Sequence, residues 1–325
     1  MLLYLLRRLG FLILTLLLTS VIIFAITQFL PGDVCRVILG REPGEAALAN
    51  CRARLNLDDP APVRYLRWLG DFVAGDWGDS FSTGDPIRSM VMARVRNTLM
   101  LSAVVLVLAL PVSLALGVVS GTHENKPVDA AINLSSLALV GMPEFVTGVV
   151  LVQLFSFGLN RWLYPLFGIR PFPASSSIGL YTPFWEALPS LILPALTAAI
   201  VMAVYVVRVT RAGVIEELRQ PYVRTATLKG LPWRTVMVKH VLRNALLPTI
   251  TVIAISLGWL ISGLIVIENV FNYPGLGRLM VYAIDRRDLP LIQAIAMITV
   301  TGFGIANLAA DLLYGVLNPR IRLGG

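Results

Sequence analysis

Long uncharged runs, rather than a strand or amphipathic-helix period, dominate the pattern of polar and apolar positions along this chain. Residues 9–32, 97–122, 187–207, 244–267 and 289–310 contain no Asp, Glu, Lys or Arg. Each is long enough to cross a bilayer core, which takes about 20 apolar residues in helical form. A sixth stretch, residues 130–160, is broken only by Glu144 and Arg-free until Arg161. The pattern predicts an all-α integral membrane protein with six transmembrane helices. Arg7 and Arg8 precede the first run as they would in a secretory leader, but a leader's apolar region spans only about 7–15 residues before a small-residue cleavage site. This run is longer and ends in Gln28-Phe29-Leu30-Pro31, so it is expected to remain as the first helix.

The segments between the runs divide the chain into residues 1–30, an outer segment or lid at 31–96, and a core at 97–325 that carries a loop at 208–245. The outer segment is rich in Gly, Pro and Asp, with Tyr65, Leu66, Leu69 and Phe72 at helical spacing between Val63 and Phe72. Residues 161–186 hold Pro165, Pro171, Pro173 and Pro183 around three serines and read as an irregular loop. No tandem repeat or low-complexity tract is visible.

Composition supports the membrane reading: 56% of residues are apolar and 14% charged, against roughly 25% charged in a soluble domain. A mean hydropathy of +0.76 also excludes intrinsic disorder. The net charge of +8 could suggest nucleic acid. Its distribution argues otherwise. If both termini are cytoplasmic, the inner segments carry 13 Lys and Arg and the two short outer loops carry 5, as the positive-inside rule requires. Trp162, Tyr164 and Trp185 then fall at the outer ends of helices three and four, where an aromatic belt belongs.

Eight of the inner basic residues lie between Arg208 and Arg243. There Pro221 ends one helical stretch, residues 222–229 can form a short helix, Gly230 is placed as its C′ glycine, and Pro232 can open the next helix. A short helix between two breakers would present a compact knob on the cytoplasmic side, though spacing alone equally allows a simple connector. The chain has no Gly-rich phosphate loop ending in Gly-Lys-Ser/Thr and no G-x-S-x-G. His123 and His240, its two histidines, form no metal-ligand spacing. No catalytic, cofactor or metal site is expected.

Thr225-Ala226-Thr227-Leu228-Lys229-Gly230 resembles the Ala-x-x-x-Gly core of the loop by which permeases of bacterial ABC importers contact their ATPases. The remaining motifs resemble the B-type permease of the peptide importers along nearly the whole chain. They are Leu6-Arg7-Arg8-Leu9, Leu30-Pro31-Gly32-Asp33, Arg64-Tyr65-Leu66-Arg67-Trp68, Gly75-Asp76-Trp77-Gly78-Asp79-Ser80, Asn97-Thr98-Leu99, Leu188-Pro189, the stretch from Glu268 to Gly277, and the stretch from Asp311 to Arg322. The resemblance implies a type I importer permease fold in the bacterial inner membrane, forming half of a pathway for oligopeptides or dipeptides. It implies a second, C-type permease subunit, two ATPase domains that hold ATP and magnesium, and an extracytoplasmic peptide-binding protein. Nickel or glutathione import is the alternative within the family, and an ion-coupled secondary transporter or an intramembrane enzyme the alternative outside it. Arg224 stands where the wider superfamily has an acidic residue, and Glu144 stands where the peptide branch has a neutral one.

Four sets of residues follow as candidates. Tyr222, Arg224, Thr225, Ala226, Lys229 and Gly230 are expected to couple to an ATPase, with Ala226 thin enough to let the helix seat against it. Glu144, placed well inside its helix after Pro143, is a candidate for lining the pathway, since a carboxylate at membrane depth faces the bundle interior or water; satisfaction by backbone freed at the proline is the competing expectation. Tyr65, Trp68, Trp77, Phe271, Tyr273 and Pro274 are candidates for an outer gate or binding-protein contact, or else for a small core of their own. Cys35 and Cys51, both in the outer segment, are a candidate disulfide closing a loop of 15 intervening residues.

Overall fold

The computed structural model describes residues 2–29, 34–39, 43–54, 57–169, 171–262 and 264–317. Residues 30–33, Arg170 and the closing motif at 318–322 lie outside the described residues.

After helix α1 (Leu2–Phe29) come three shorter helices, α2 (Val34–Leu39), α3 (Glu45–Arg54) and α4 (Ala61–Ala74). The disulfide Cys35–Cys51, with Cα atoms 5.8 Å apart, joins α2 to α3. Helix α4 takes its amphipathic pattern from Tyr65, Trp68 and Phe72, starts at Pro60-Ala61-Pro62 and stops at Gly75, whose φ of +87° only glycine adopts readily. Helix α5 (Ile87–Thr122) begins well before the uncharged run at Asn97.

The third uncharged stretch is not one helix. It divides into α6 (Pro127–Val140), α7 (Glu144–Leu151), a π-helical stretch (Val152–Leu159) and α8 (Asn160–Phe167). Gly141, Met142 and Pro143 form the break, because Pro143 lacks an amide hydrogen and its ring excludes a preceding helical turn. Residues 160–167, expected to begin an irregular loop, instead continue as helix, and the irregular part follows Gly168.

Helix α9 (Phe184–Leu218) is the central span, and α10 (Pro221–Leu228) follows it after two residues. Then come α11 (Trp233–Thr235), a second π-helical stretch (Val236–Val241), α12 (Leu242–Ala245) and α13 (Leu247–Ser262). The fifth expected span is therefore bent, by 51° between Trp233–Ala245 and Leu247–Ser262. Helices α14 (Ile265–Val270), α15 (Leu276–Asp285) and α16 (Leu289–Leu317) complete the described chain. Among the described residues five helical runs are long and apolar enough to cross a membrane, the continuous run from Glu144 to Phe167 being one, and counting the bent pair as a single span gives six.

The main core lies between α5, α7, α9, α13 and α14, with Leu101, Leu191, Leu193, Met202, Leu260 and Ile267 fully buried. In lipid there is no water to expel between helices, so association relies on close backbone approach. Gly117 and Gly121, one turn apart on α5, provide it: a β-carbon at Gly117 would lie 2.6 Å from Thr210 Cβ, and one at Gly121 2.8 Å from Val214 Cβ. Helix α1 sits at the periphery against α16 and shows Phe11, Leu14, Leu18, Ile22 and Ile26 outward, as a lipid-facing helix does.

Candidate functional site

One end of the bundle carries α2–α4, and a basic end carries α10. At the basic end, α10 lies flat on a compact core of Val214, Val223, Ala226, Val236, Met237, Val241 and Ala245. The 3.6-residue period puts Val223 and Ala226 on one face and leaves Arg224, Thr225, Thr227, Leu228 and Lys229 on the other. Ala226 is 7% exposed and Leu228 79%. Ala226 therefore seats the helix on its own subunit. With Leu231 and Trp233, Leu228 forms an exposed apolar ridge. Sequence reasoning passed over it because apolar residues are unremarkable in so apolar a chain.

The C-terminus of α10 closes with paired reverse bonds. Leu231 N donates to Ala226 O at 3.3 Å and Gly230 N to Thr227 O at 3.0 Å, with Gly230 at φ +75°. This is the C′ glycine geometry that frees a helix end to turn sharply. The Tyr222 hydroxyl turns back onto its own subunit. That group donates to Glu217 Oε2, accepts from Asn244 Nδ2 at 3.2 Å and reaches His240 O, tying α10 to α9 and α12. Burial, followed by the Glu217 carboxylate, pushes the Tyr222 hydroxyl above its ordinary pKa.

Beside α10, the carboxylate of Asp129 in the first turn of α6 receives a bidentate Arg211 from α9, Nε to Oδ1 at 2.7 Å and Nη2 to Oδ2 at 2.8 Å. Ser120 Oγ from α5, Asn125 N and Asn133 Nδ2 complete its shell. Nearby, Arg219 pairs with Glu124 at 2.7 Å. A lone Asp in a helix's first turn gave little sequence signal for this network beyond the macrodipole preference.

At the end that carries α2–α4, Tyr65 and Trp68 pack on Phe24 of α1 with ring centroids 5.5 and 5.8 Å apart, and Tyr65 Oη bonds Ser20 Oγ at 2.8 Å. Trp77 stacks on Phe72 at 5.2 Å and donates Nε1–H to Phe72 O. Phe271 and Tyr273 are 0% exposed, and Pro274 is buried. Tyr65 and Trp68 thus pack on α1 and Trp77 on α4, whereas Phe271 and Tyr273 lie in the main core of the bundle. Each carries too much apolar area to leave in water when a neighbouring ring is within reach.

Two buried carboxylates tie elements together at this end. Glu268 accepts from Thr98 Oγ1 at 2.7 Å and Arg278 N at 3.0 Å, while Asn97 Nδ2 donates to Pro274 O and Tyr273 Oη donates to Asn97 O. Asp288 accepts from Ser80 Oγ at 2.5 Å and from Ser82 N and Oγ at 3.1 and 3.0 Å. Residues 75–84 are thereby fastened to the start of α16. Asn97-Thr98 and the Glu268 motif were visible separately in the sequence, but nothing there joined them.

Glu144 occupies the first turn of α7, half-buried, with Pro143 at the N-cap position. It is not deep within a continuous helix as expected. At a helix start the exposed amide hydrogens favour a carboxylate. Among the described residues no cluster of three or more His, Cys, Asp or Glu could hold a metal ion.

Residues 113–323 match a family model described as binding-protein-dependent transport system inner membrane component, and residues 1–115 match its N-terminal counterpart. The chain belongs to that family. The permease is 34% identical over 319 residues to a probable peptide ABC transporter permease of Sinorhizobium fredii, covering 98% of this chain and 99% of that one. It is 35% identical over 319 residues to an oligopeptide transport system permease of Bacillus subtilis, covering 98% of both. It is 37% identical over 322 residues to a glutathione transport system permease of Pectobacterium atrosepticum, covering 99% of both. The permease is thus an all-α, multi-pass inner-membrane subunit of an ABC transporter and not an enzyme.

Proposed function

We propose that this permease forms half of an import pathway for short peptides, paired with a second permease subunit, powered by two ATPase domains and supplied by an extracytoplasmic binding protein. The basic end faces the cytoplasm, with both termini on that side. ATP and magnesium bind the ATPases and not this chain. Residues 31–96 serve as an outer lid on the core that begins near residue 97, and Glu144 is a candidate for lining the pathway.

One observation carries the reading. Helix α10 is sealed to its own subunit by Val223 and Ala226 while Leu228, Leu231 and Trp233 stand exposed at 79, 38 and 55% on the end that carries the basic loop. Apolar side chains have no lipid partner there, and such a ridge on an aqueous face marks a protein contact. When the ATPases close on ATP, the seated α10 is carried with them and the pathway opens outward; hydrolysis reverses the motion. The test is Leu228→Asp with Trp233→Asp. Expected is a normally abundant permease that no longer retains the ATPase on purification. Unchanged ATPase retention and transport would overturn the reading.

The curated relatives include permeases named for peptides and for glutathione, itself a small peptide. Competition of labelled tripeptide uptake by glutathione, dipeptides and longer peptides in a strain carrying the complete transporter distinguishes them. Uptake unaffected by every peptide would remove the substrate assignment while leaving the coupling assignment standing.

A further inference from the structure

We propose that Asp129 is a positioning residue for coupling: its bridge to Arg211 makes α6 move with α9 and α10 as one body, with the break at Gly141–Pro143 as the hinge. This rests on the reading of α10 as the ATPase contact.

The basic ends of α5, α9 and α12 are already locked by shape. Gly117 and Gly121 of α5 press on Thr210 and Val214 of α9, and a β-carbon at Gly213 of α9 would overlap Ala245 O of α12. Helix α10 follows α9 after only Arg219 and Gln220 and is tied back to it through Tyr222 and Glu217. Any displacement of α10 is therefore delivered to α9. Helix α6 has no comparable glycine seam to α9. It packs on α5 and α9, and its ionic link at this end is the Asp129 carboxylate, 5% exposed, held by Arg211 through two bonds and by Ser120, Asn125 and Asn133 through three more.

A bidentate guanidinium–carboxylate pair fixes direction as well as distance, because two parallel bonds resist rotation that a single bond allows. Beyond the break, α7 packs on α9 and α14 in the main core, with Leu151 buried there and Gly148 against Phe271, where a β-carbon would lie 3.1 Å from the ring. Helix α6 is thus clamped to the coupling body at one end and separated from α7 at the other by three non-helical residues. A segment so arranged tilts when its clamped end moves.

The experiment uses the complete transporter in proteoliposomes. Spin labels at Leu134 on α6, Glu216 on α9 and Val149 on α7, all exposed, report the motion without touching the bridge. On ATP binding the Leu134–Glu216 distance is expected to stay constant while Leu134–Val149 shifts. Asp129→Asn is expected to assemble with ATPase bound, broaden the Leu134–Glu216 distribution and lower peptide moved per ATP hydrolysed by at least about fivefold, the scale of a typical inter-site coupling. Asp129→Glu, or Asp129→Arg combined with Arg211→Asp, should restore the ratio. A Leu134–Glu216 distance that changes with nucleotide in the unaltered transporter overturns the proposal, as does a normal peptide-to-ATP ratio in Asp129→Asn. Asp129→Asn leaves the outward face of α10 intact, so the ATPase-retention test and this one fail independently.

Discussion

The carboxylate of Glu268 occupies the space that a β-carbon would take at Gly275. Gly277 is constrained by the same packing, since a β-carbon there would lie 2.5 Å from Ile265 Cα and 3.0 Å from Glu268 Oε2. The acidic residue and the two glycines of this motif are one device: backbone thin enough to let a buried carboxylate reach Thr98 on α5 and the amide of Arg278.

Gly275→Ala is expected to destabilise the permease by about 1–3 kcal/mol, the usual cost of overpacking, measured as a lower Tm of the purified transporter. Glu268→Gln preserves the shape and should cost less. Burial raises the Glu268 carboxyl to about 7, against hydrogen bonds from Thr98 and the Arg278 amide that pull it down. A carboxyl raised in the folded state contributes stability that is complete below the unfolded value near 4.5 and is lost as pH climbs through 7. Tm should therefore fall between about pH 5 and 8 in the wild type and fall less in Glu268→Gln; parallel curves would show that Glu268 is not the titrating group.

Ala226→Glu is expected to act through the subunit itself. A carboxylate forced among Val223, Val236 and Val241 has no partner, and an unpaired buried charge costs several kcal/mol. Permease abundance should drop together with ATPase association. Full abundance with selective loss of the ATPase would instead place Ala226 in the contact.

Gly230 makes a separate prediction, because nothing lies within 4 Å of a β-carbon there and the cost is one of backbone alone. Gly230→Ala should cost about 1 kcal/mol and Gly230→Val more, while Gly230→Asn, which tolerates the left-handed region, should stay near wild type. Tm and ATPase-coupled uptake of the three variants check the order; equal effects of Asn and Val would exclude the backbone explanation.

Asp288→Asn is expected to loosen the lid. The charge-assisted bonds from Ser80 and Ser82 are worth about 1.5–3 kcal/mol each, less the cost of ordering the loop. Hydrogen exchange over residues 75–86 should rise by at least about tenfold, the equivalent of 1.4 kcal/mol, while α9 stays protected. Unchanged exchange at 75–86 would show that the aromatic stack of Phe72 and Trp77 holds the loop without the carboxylate.

The number of spans, the membrane class and the short helix before Gly230 were legible in the sequence because each depends on local quantities. Apolar length determines whether a segment can cross a bilayer, and proline and glycine act on their own φ and ψ. Only the tertiary structure decided which face of α10 is free: a period of 3.6 says that Ala226 and Leu228 lie on different faces but not which face the rest of the chain covers. It likewise divided the third stretch at Gly141–Pro143, buried Phe271 and Tyr273, and brought Asp129 to Arg211 across 82 residues. Such pairings depend on which surfaces meet when the helices pack, and no pattern within either segment carries that information.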